Sequence, residues 1–311
     1  MDRLREMEIF AAVAGGGSLS AAARRLNLSV AVVSKQLAAL EKRLGSRLVT
    51  RTTRKLALTE DGQAFFERCR GILSEIADAE QAVAGADGRL TGSIRITAPV
   101  AFGRNRLAPL IAAFAAQQPQ LNFHLQLTDT IVDLLEENID LAIRMGELTD
   151  SSLRARRLVA NQRLICGAPA YFRKRGQPQQ LSDLEQHDCI AICGSGGSGQ
   201  VWRFTGDAQE TAIRISGRLS ASNGEVAYAW MLAGLGLVQK SIWDVAEDLR
   251  DGRLVTVLPQ YRRAESVHAV FPPGRQVPHR VLCFVDFITK QLQAVERDVM
   301  SATAVKPKKK R

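Results

Sequence analysis

No stretch of the chain is apolar for long enough to cross a bilayer. The longest wholly apolar run, Val226 to Val238, covers 13 residues and contains Gly234 and Gly236. A spanning helix needs about 20 residues, so a buried helix followed by a strand suits this segment better. Met1 to Phe10 interrupts its apolar positions with Arg3, Arg5, Glu6 and Glu8. It therefore lacks the continuous apolar core of a secretory signal, and a cytoplasmic protein with no membrane partner is expected. Cysteine is scarce. Cys69, Cys166, Cys189, Cys193 and Cys283 are odd in number and scattered, which argues against a disulfide framework and leaves free thiols as the expectation.

Catalytic and cofactor chemistry is thin as well. The four histidines do not combine with a nucleophile and an orienting acid into any recognisable set. His187, Cys189 and Cys193 form His-x-Cys-x3-Cys, but the two cysteines sit at the ends of an apolar strand, which would hold their thiols about 13 Å apart. The glycine-rich stretch Gly194 to Gly199 is not followed by Lys-Ser/Thr, so it is expected to be a flexible loop and not a phosphate cradle. No metal, no cofactor and no enzymatic activity are expected.

What is present is an ordinary globular composition, 46% hydrophobic and 24% charged over 311 residues, with room for two or three packed units. The net charge of +10 is unevenly placed. Residues 1–60 carry 11 Lys/Arg against 5 Asp/Glu, residues 61–88 carry 2 against 6, residues 89–300 carry 24 against 21, and residues 301–311 carry 5 against none. A small basic unit ahead of a larger, nearly neutral one suggests a polyanion-binding module attached to something with another task.

Periodicity places a first helix through Leu4, Met7 and Phe10, stopped by Gly15 to Gly17. A short second helix follows with Ser20 as cap, then a third from Ser29 with Val33, Leu37, Leu40 and Leu44 as its buried stripe and Gly45 at its end. Arg47 to Leu58 reads as a two-stranded ribbon with Arg51, Arg54 and Lys55 near its tip. Two short helices, a tight turn and a ribbon make a winged helix-turn-helix. From Thr59, which can cap, a long amphipathic helix runs through Phe65, Phe66, Cys69, Ile72, Leu73, Ile76 and Val83; it is read as a dimerisation helix, the alternative being that it packs on its own domain. Beyond Gly88, strands and helices alternate. Strands are expected at Ser93–Ala98, around Phe123 to Leu127, and at Asp140–Arg144, Arg163–Gly167, Cys189–Cys193, Ile213–Leu219, Leu254–Leu258 and Val267–Phe271, with helices over Leu107–Phe114 and Val281–Val299. Two α/β lobes with a ligand cleft between them account for this pattern.

The segment SLSAAARRLNLSVAVVSKQLAALEKRLGSRLVTRTTRKLALTEDG, Ser18 to Gly62, resembles the DNA-binding domain of LysR-type transcriptional regulators. ITAPVAFG (Ile96–Gly103), DLAIRMGEL (Asp140–Leu148), APAYF (Ala168–Phe172) and AGLGL (Ala233–Leu237) are similar to that family's effector domain. The resemblance implies a winged helix-turn-helix over residues 1–60 and a dimerisation linker helix over 61–88. It implies a periplasmic-binding-protein-like effector domain over 89–302, with lobe one about 91–160 and 267–300 and lobe two about 161–266. Residues 303–311 are expected to be a disordered basic tail. The implied function is a sequence-specific DNA-binding regulator whose partners are double-stranded DNA, a small-molecule effector held between the lobes, and further copies of itself as a homodimer or homotetramer. Two departures matter. Val30 and Ala31 stand where the family often has Gln or Pro followed by Ser or Pro, so base preference cannot be copied over, and Gln239 and Lys240 stand where a Pro commonly follows the Gly-Leu-Gly run.

On this basis Ser29, Val30, Ala31, Ser34 and Lys35 are expected at the major groove, and Arg51 and Arg54 at phosphates or the minor groove. In the cleft, the turn Thr97, Ala98, Pro99, Val100 and Ala101 offers a hydroxyl and backbone N–H groups to a ligand carboxylate. Arg144 either pairs with an anionic effector or forms a salt bridge with Asp140 or Glu147. Asn223 either touches the effector or caps its own helix. A solute-binding protein and an enzyme on the same two-lobed fold are the rival functions; the first is opposed by the helix-turn-helix, the second by the missing motif.

Overall fold

The computed structural model describes residues 2–51, 56–83, 90–146, 154–193, 201–205, 210–274 and 276–304. It divides the chain into two compact units, Met1–Gly92 and Ser93–Arg311. Among the described residues no helix is long and apolar enough to cross a membrane.

The first unit contains α1 (Arg3–Gly16), α2 (Leu19–Leu26), α3 (Val30–Leu44), an antiparallel ribbon of β1 (Val49–Arg51) and β2 (Leu56–Leu58), and α4 (Glu60–Val83). Side chains supply what the first turns of these helices lack. Asp2 accepts from Leu4 N, Ser18 from Ala21 N and Ser29 from Val32 N. Ser18, and not Ser20, is thus the cap of α2: Ser20 lies inside the helix. Thr59 closes the last start, accepting from Gly62 N while its hydroxyl donates to Arg47 O. Ile9, Phe10, Val13, Val33, Leu37, Leu40 and Leu48 form the core, each contributing roughly 1.5–3 kcal/mol by leaving water. Leu44 does not join them, being 38% exposed in the last turn of α3.

Two polar devices fix the ribbon and the helices. Glu41 Oε1 accepts from both Leu48 N and Val49 N, tying α3 to the start of β1. Glu6, buried in α1, accepts from Arg43 Nε and Nη2 at 3.0 and 2.6 Å, which joins α1 to the end of α3. The start of α4 lies so close to β1 that a methyl group at Gly62 would sit 1.9 Å from the Leu48 carbonyl oxygen.

From Ser93 the second unit holds the rest of β3 (Gly92–Ala98) and continues through α5 (Val100–Phe102), a π-helical turn (Gly103–Leu107) and α6 (Ala108–Gln117), the last three forming one helical run. Then come β4 (Leu121–Leu127), β5 (Leu141–Met145), β6 (Arg154–Gly167), α7 (Pro169–Arg175), β7 (Ala191–Ile192), β8 (Val201–Thr205), β9 (Glu210–Arg214), β10 (Ser220–Ala221) and α8 (Gly224–Leu232). The chain closes with β11 (Val238–Ser241), α9 (Ile242–Arg250), β12 (Val255–Val257), β13 (Arg263–Phe271) and α10 (His279–Ser301). The main sheet has the order β11-β6-β13-β5-β3-β4, with β12 also on β6. β3 and β5 are parallel, while β13 is antiparallel to both β5 and β6.

Two lobes result because β6 and β13 run through both. One lobe gathers β3, β4 and β5 with α5, α6 and α10, where Phe114 packs against Phe123, Phe284 and Phe287 at centroid distances of 5.0–6.3 Å. The other has Phe172, Leu184, Trp202, Phe204 and Leu237 in its core, from α7 to β12, with α8 packed on β7, β10 and β11 and α9 on β11. Where the strands pass between lobes, β13 shifts register between Val267 and His268. There Ala160 is held on both sides, its N–H donating to Glu296 Oε1 and its carbonyl accepting from Trp243 Nε1.

Some expectations shift. Of the run Cys189–Cys193, only Ala191 and Ile192 are a strand, with Cys189 in an isolated bridge to Leu237. Of the expected strand Ile213–Leu219, only Ile213 and Arg214 are strand, as the end of β9; β10 starts at Ser220, and between the two a methyl group at Gly217 would lie 2.1 Å from the Cys189 carbonyl oxygen. The wing residues 52–55, the glycine-rich loop 194–200 and the tail from 305 lie outside the described residues. Gly62→Ala should cost the first unit about 1–3 kcal/mol, because backbone and not a movable side chain blocks the methyl; denaturant unfolding followed in that unit checks this.

Candidate functional site

In the first unit, the stripe Val33, Leu37 and Leu40 turns inward, and this leaves the opposite side of the first turns of α3 facing water. Val30 is 44% exposed, Ala31, Lys35 and Ala38 are exposed, and Ser34 is half-buried. Ser29 is exposed too, but its Oγ is occupied as the cap of α3. Val32, 40% exposed, shares this end of the helix; its position one residue off the buried stripe was the signal that could have added it to the expected contacts. Arg51 ends β1, and Arg54 lies outside the described residues.

The long helix departs from expectation at its start. Phe65 and Phe66 are half-buried against Phe10, with ring centroids 5.4 and 6.4 Å away. The first turns of α4 thus pack on their own domain. Ile72, 42% exposed, is an apolar residue left in water further along.

In the second unit, a cavity of about 600 Å³ opens between the lobes. Pro99, Ala101, Asp129 and Arg144 line it from one lobe, and Arg163, Gly224, Lys240 and Asp244 from the other, with Ile131, Val132 and Leu134 as its apolar wall. Lys240 is buried and paired with Asp244 at 2.8 Å, and Arg163 is paired with Glu265 at 3.1 Å. Arg144 differs. Its Nη1 donates to the Thr130 carbonyl at 3.4 Å, and among the described residues its buried Nη2 has no hydrogen-bond partner. Burial pushes the guanidinium below its usual range, yet a guanidinium remains cationic at neutral pH. Asp140, one of its two expected partners, instead accepts from Arg95 N; Glu147, the other, lies outside the described residues.

The expected cleft residues therefore separate. Pro99, Ala101 and Arg144 line the cavity; Thr97 and Ala98 are fully buried and do not. Val100 contributes its N–H, which donates to Asp129 Oδ1 at 3.0 Å. Asn223 caps α8, accepting from Glu225 N and Val226 N. Asp129 was missed as a site residue, because it carries no local sequence pattern that places it at a cleft; Lys240, noted in the sequence as a departure at the rim of the cleft, lines the cavity. Burial pushes the Cys166 and Cys189 thiols up to about 12 and that of Cys69 to about 11, so these three behave as small hydrophobic side chains.

A winged helix-turn-helix joined to a two-lobed α/β domain with a cavity between its lobes is the construction of a ligand-responsive transcription regulator. Residues 4–63 match the bacterial regulatory helix-turn-helix proteins of the lysR family, and residues 87–293 match the LysR substrate binding domain. The chain belongs to the LysR family. It is 34% identical over 291 residues to the transcriptional activator TtdR of Escherichia coli K12, covering 93% of each chain. It is 34% identical over 285 residues to the regulator DmlR of the same organism, covering 92% of this chain and 93% of that one. The solved structure of CrgA from Neisseria meningitidis, a LysR-type transcriptional regulator, is 33% identical with a TM-score of 0.60, over 93% of this chain and 98% of that one.

Substitutions at Ser29 can separate its capping of α3 from its expected place at the major groove. Ser29→Ala should cost about 1 kcal/mol of stability by losing the cap. Ser29→Asp should restore stability in denaturant unfolding yet weaken DNA binding in a gel shift, since it sets a negative charge on the exposed end of α3.

Proposed function

We propose that this regulator acts in the cytoplasm as a homodimer or homotetramer, has no enzymatic activity, and responds to a small anionic effector bound at Arg144. The observation that carries the effector class is Arg144, which lines the inter-lobe cavity and whose Nη2 has no hydrogen-bond partner among the described residues. A half-buried charge of this kind is costly alone, and a carboxylate or similar anion supplies the two oxygens its fork geometry fits. Pro99 and Ala101 also line the cavity, and Lys240 and Arg163, each paired with a carboxylate, are the other cations named at the site. The DNA-binding domain is assigned to residues 1–60, the dimerisation helix to 61–88 and the effector domain to 89–302. The lobes of that domain change over near Ala160 and Val267, which the register shift of β13 supports. Exposed Ile72 on α4 supports self-association through that helix. Ser29, Ser34, Lys35, Arg51 and Arg54 are assigned to phosphates and base edges.

Screening anionic metabolites by thermal shift tests the effector assignment, since a ligand at about 100 times its dissociation constant adds roughly 2.7 kcal/mol. A compound that stabilises the natural protein should lose this effect on Arg144→Gln, while effector-free DNA binding stays unchanged. Equal stabilisation of both proteins would remove Arg144 from the site. Val30 and Ala31 have no hydrogen-bonding side-chain atoms, and both are exposed on α3. Their natural partner in the major groove is the thymine methyl group. Uracil in place of the thymine they cover should cost about 1 kcal/mol per half-site, and an unchanged affinity after uracil replaces every operator thymine would sink this reading.

A further inference from the structure

One carboxylate joins the two lobes across the cavity. Asp129, in the loop after β4, accepts from Val100 N through Oδ1 at 3.0 Å and from Gly224 N through Oδ2 at 2.9 Å. Val100 N opens the helical run over 100–117 in one lobe, and Gly224 N opens α8 in the other. Both amides belong to first turns, whose N–H groups have no partner inside the helix and carry the positive end of the helix dipole. A single negative group held between two such ends draws them together, and their lobes with them. The Arg104–Glu225 ion pair between the same two helical segments reinforces the contact.

Asp129 is also placed to let go. The residue is exposed, while Gly224 is buried and Val100 half-buried, so a solute in the cavity reaches the carboxylate before it reaches the amides. Asp129 lines the same cavity as Arg144 and Lys240. We propose that Asp129 is the clasp of the empty cleft: an internal carboxylate that holds the lobes together through both helix starts until an anion takes its place. This rests on the cleft being the effector site and adds a means by which occupancy of that site alters the lobes.

The test is amide hydrogen exchange on the full chain, read in segments 99–103 and 223–227, with acetate as the competing carboxylate and chloride at equal ionic strength as control. Asp129→Ala should speed exchange in both segments by about tenfold, the loss expected for a charge-assisted hydrogen bond. Acetate should slow it again in the variant and leave the natural protein unchanged. Unchanged exchange overturns the proposal. Faster exchange in 99–103 alone also overturns it, because Asp129 would then be a cap within its own lobe, and faster exchange without acetate rescue shows that no external carboxylate can take its place. Should Asp129→Ala fail to fold, Asp129→Asn keeps the shape, loses the charge and one acceptor, and carries the same test. Because no DNA and no natural effector are involved, an outcome here is separate from that at Arg144. Rescue with an Arg144→Gln protein that still responds to effector sinks the anion assignment alone, and no rescue with an intact Arg144 requirement sinks the clasp alone.

Discussion

The first-turn amides of an α-helix point out of the helix with nothing to bond to, and each functional surface of this protein is arranged around that constraint. At α3 the exposed helix start is capped by Ser29, whose side chain leaves Val30 and Ala31 free to face outward. At α4 Thr59 closes the helix and ties it back to Arg47. In the cleft two helix starts converge on Asp129, and a third, that of α9, is closed by Ser241 beside the buried Lys240. What distinguishes these sites is the origin of the cap: local where the helix only needs an end, remote where two lobes are being related.

The cleft owes its position to strand geometry. Because β13 pairs with β6 along its whole length, on both sides of the register shift, the two lobes share one sheet. Ala160, held by Glu296 and Trp243, anchors that crossing, and Trp243 in turn packs edge-on against Phe102 from the helical run that starts at Val100. A change at Val100 is thereby mechanically close to the crossing strands. The cavity between the lobes is mostly charge-compensated, Lys240 by Asp244 and Arg163 by Glu265, and this sets Arg144 apart from its neighbours.

The elements legible in the sequence were those whose cause is local. The helix-turn-helix showed itself through the stripe Val33, Leu37 and Leu40 and through glycine at the end of α3; β3, β5, β12 and α10 showed themselves through apolar period and length. Even there, the choice between Ser18 and Ser20 as cap and the fate of Leu44 depended on where the helix sat on the core, which period alone does not state. The strand expected at Ile213–Leu219 ends at Arg214, and the chain then passes so close to Cys189, 28 positions before Gly217, that a methyl group at Gly217 would meet its carbonyl oxygen.

The sequence by itself determined the class of the protein, since the pattern of caps, turns and apolar periods from Ser18 to Gly62 is written within single helices and one ribbon. It also determined that Arg144 stands at a strand end near a cleft. Only the tertiary structure decided that Phe65 and Phe66 serve their own core, that Thr97, Ala98 and Asn223 are not part of the cavity wall, and that Asp129 reaches Gly224. The physical reason is separation along the chain. Hydrogen bonds that close a helix within three residues leave a trace in residue order, whereas Val100–Asp129 and Asp129–Gly224 span 29 and 95 positions and are made only once the sheet has brought two lobes face to face.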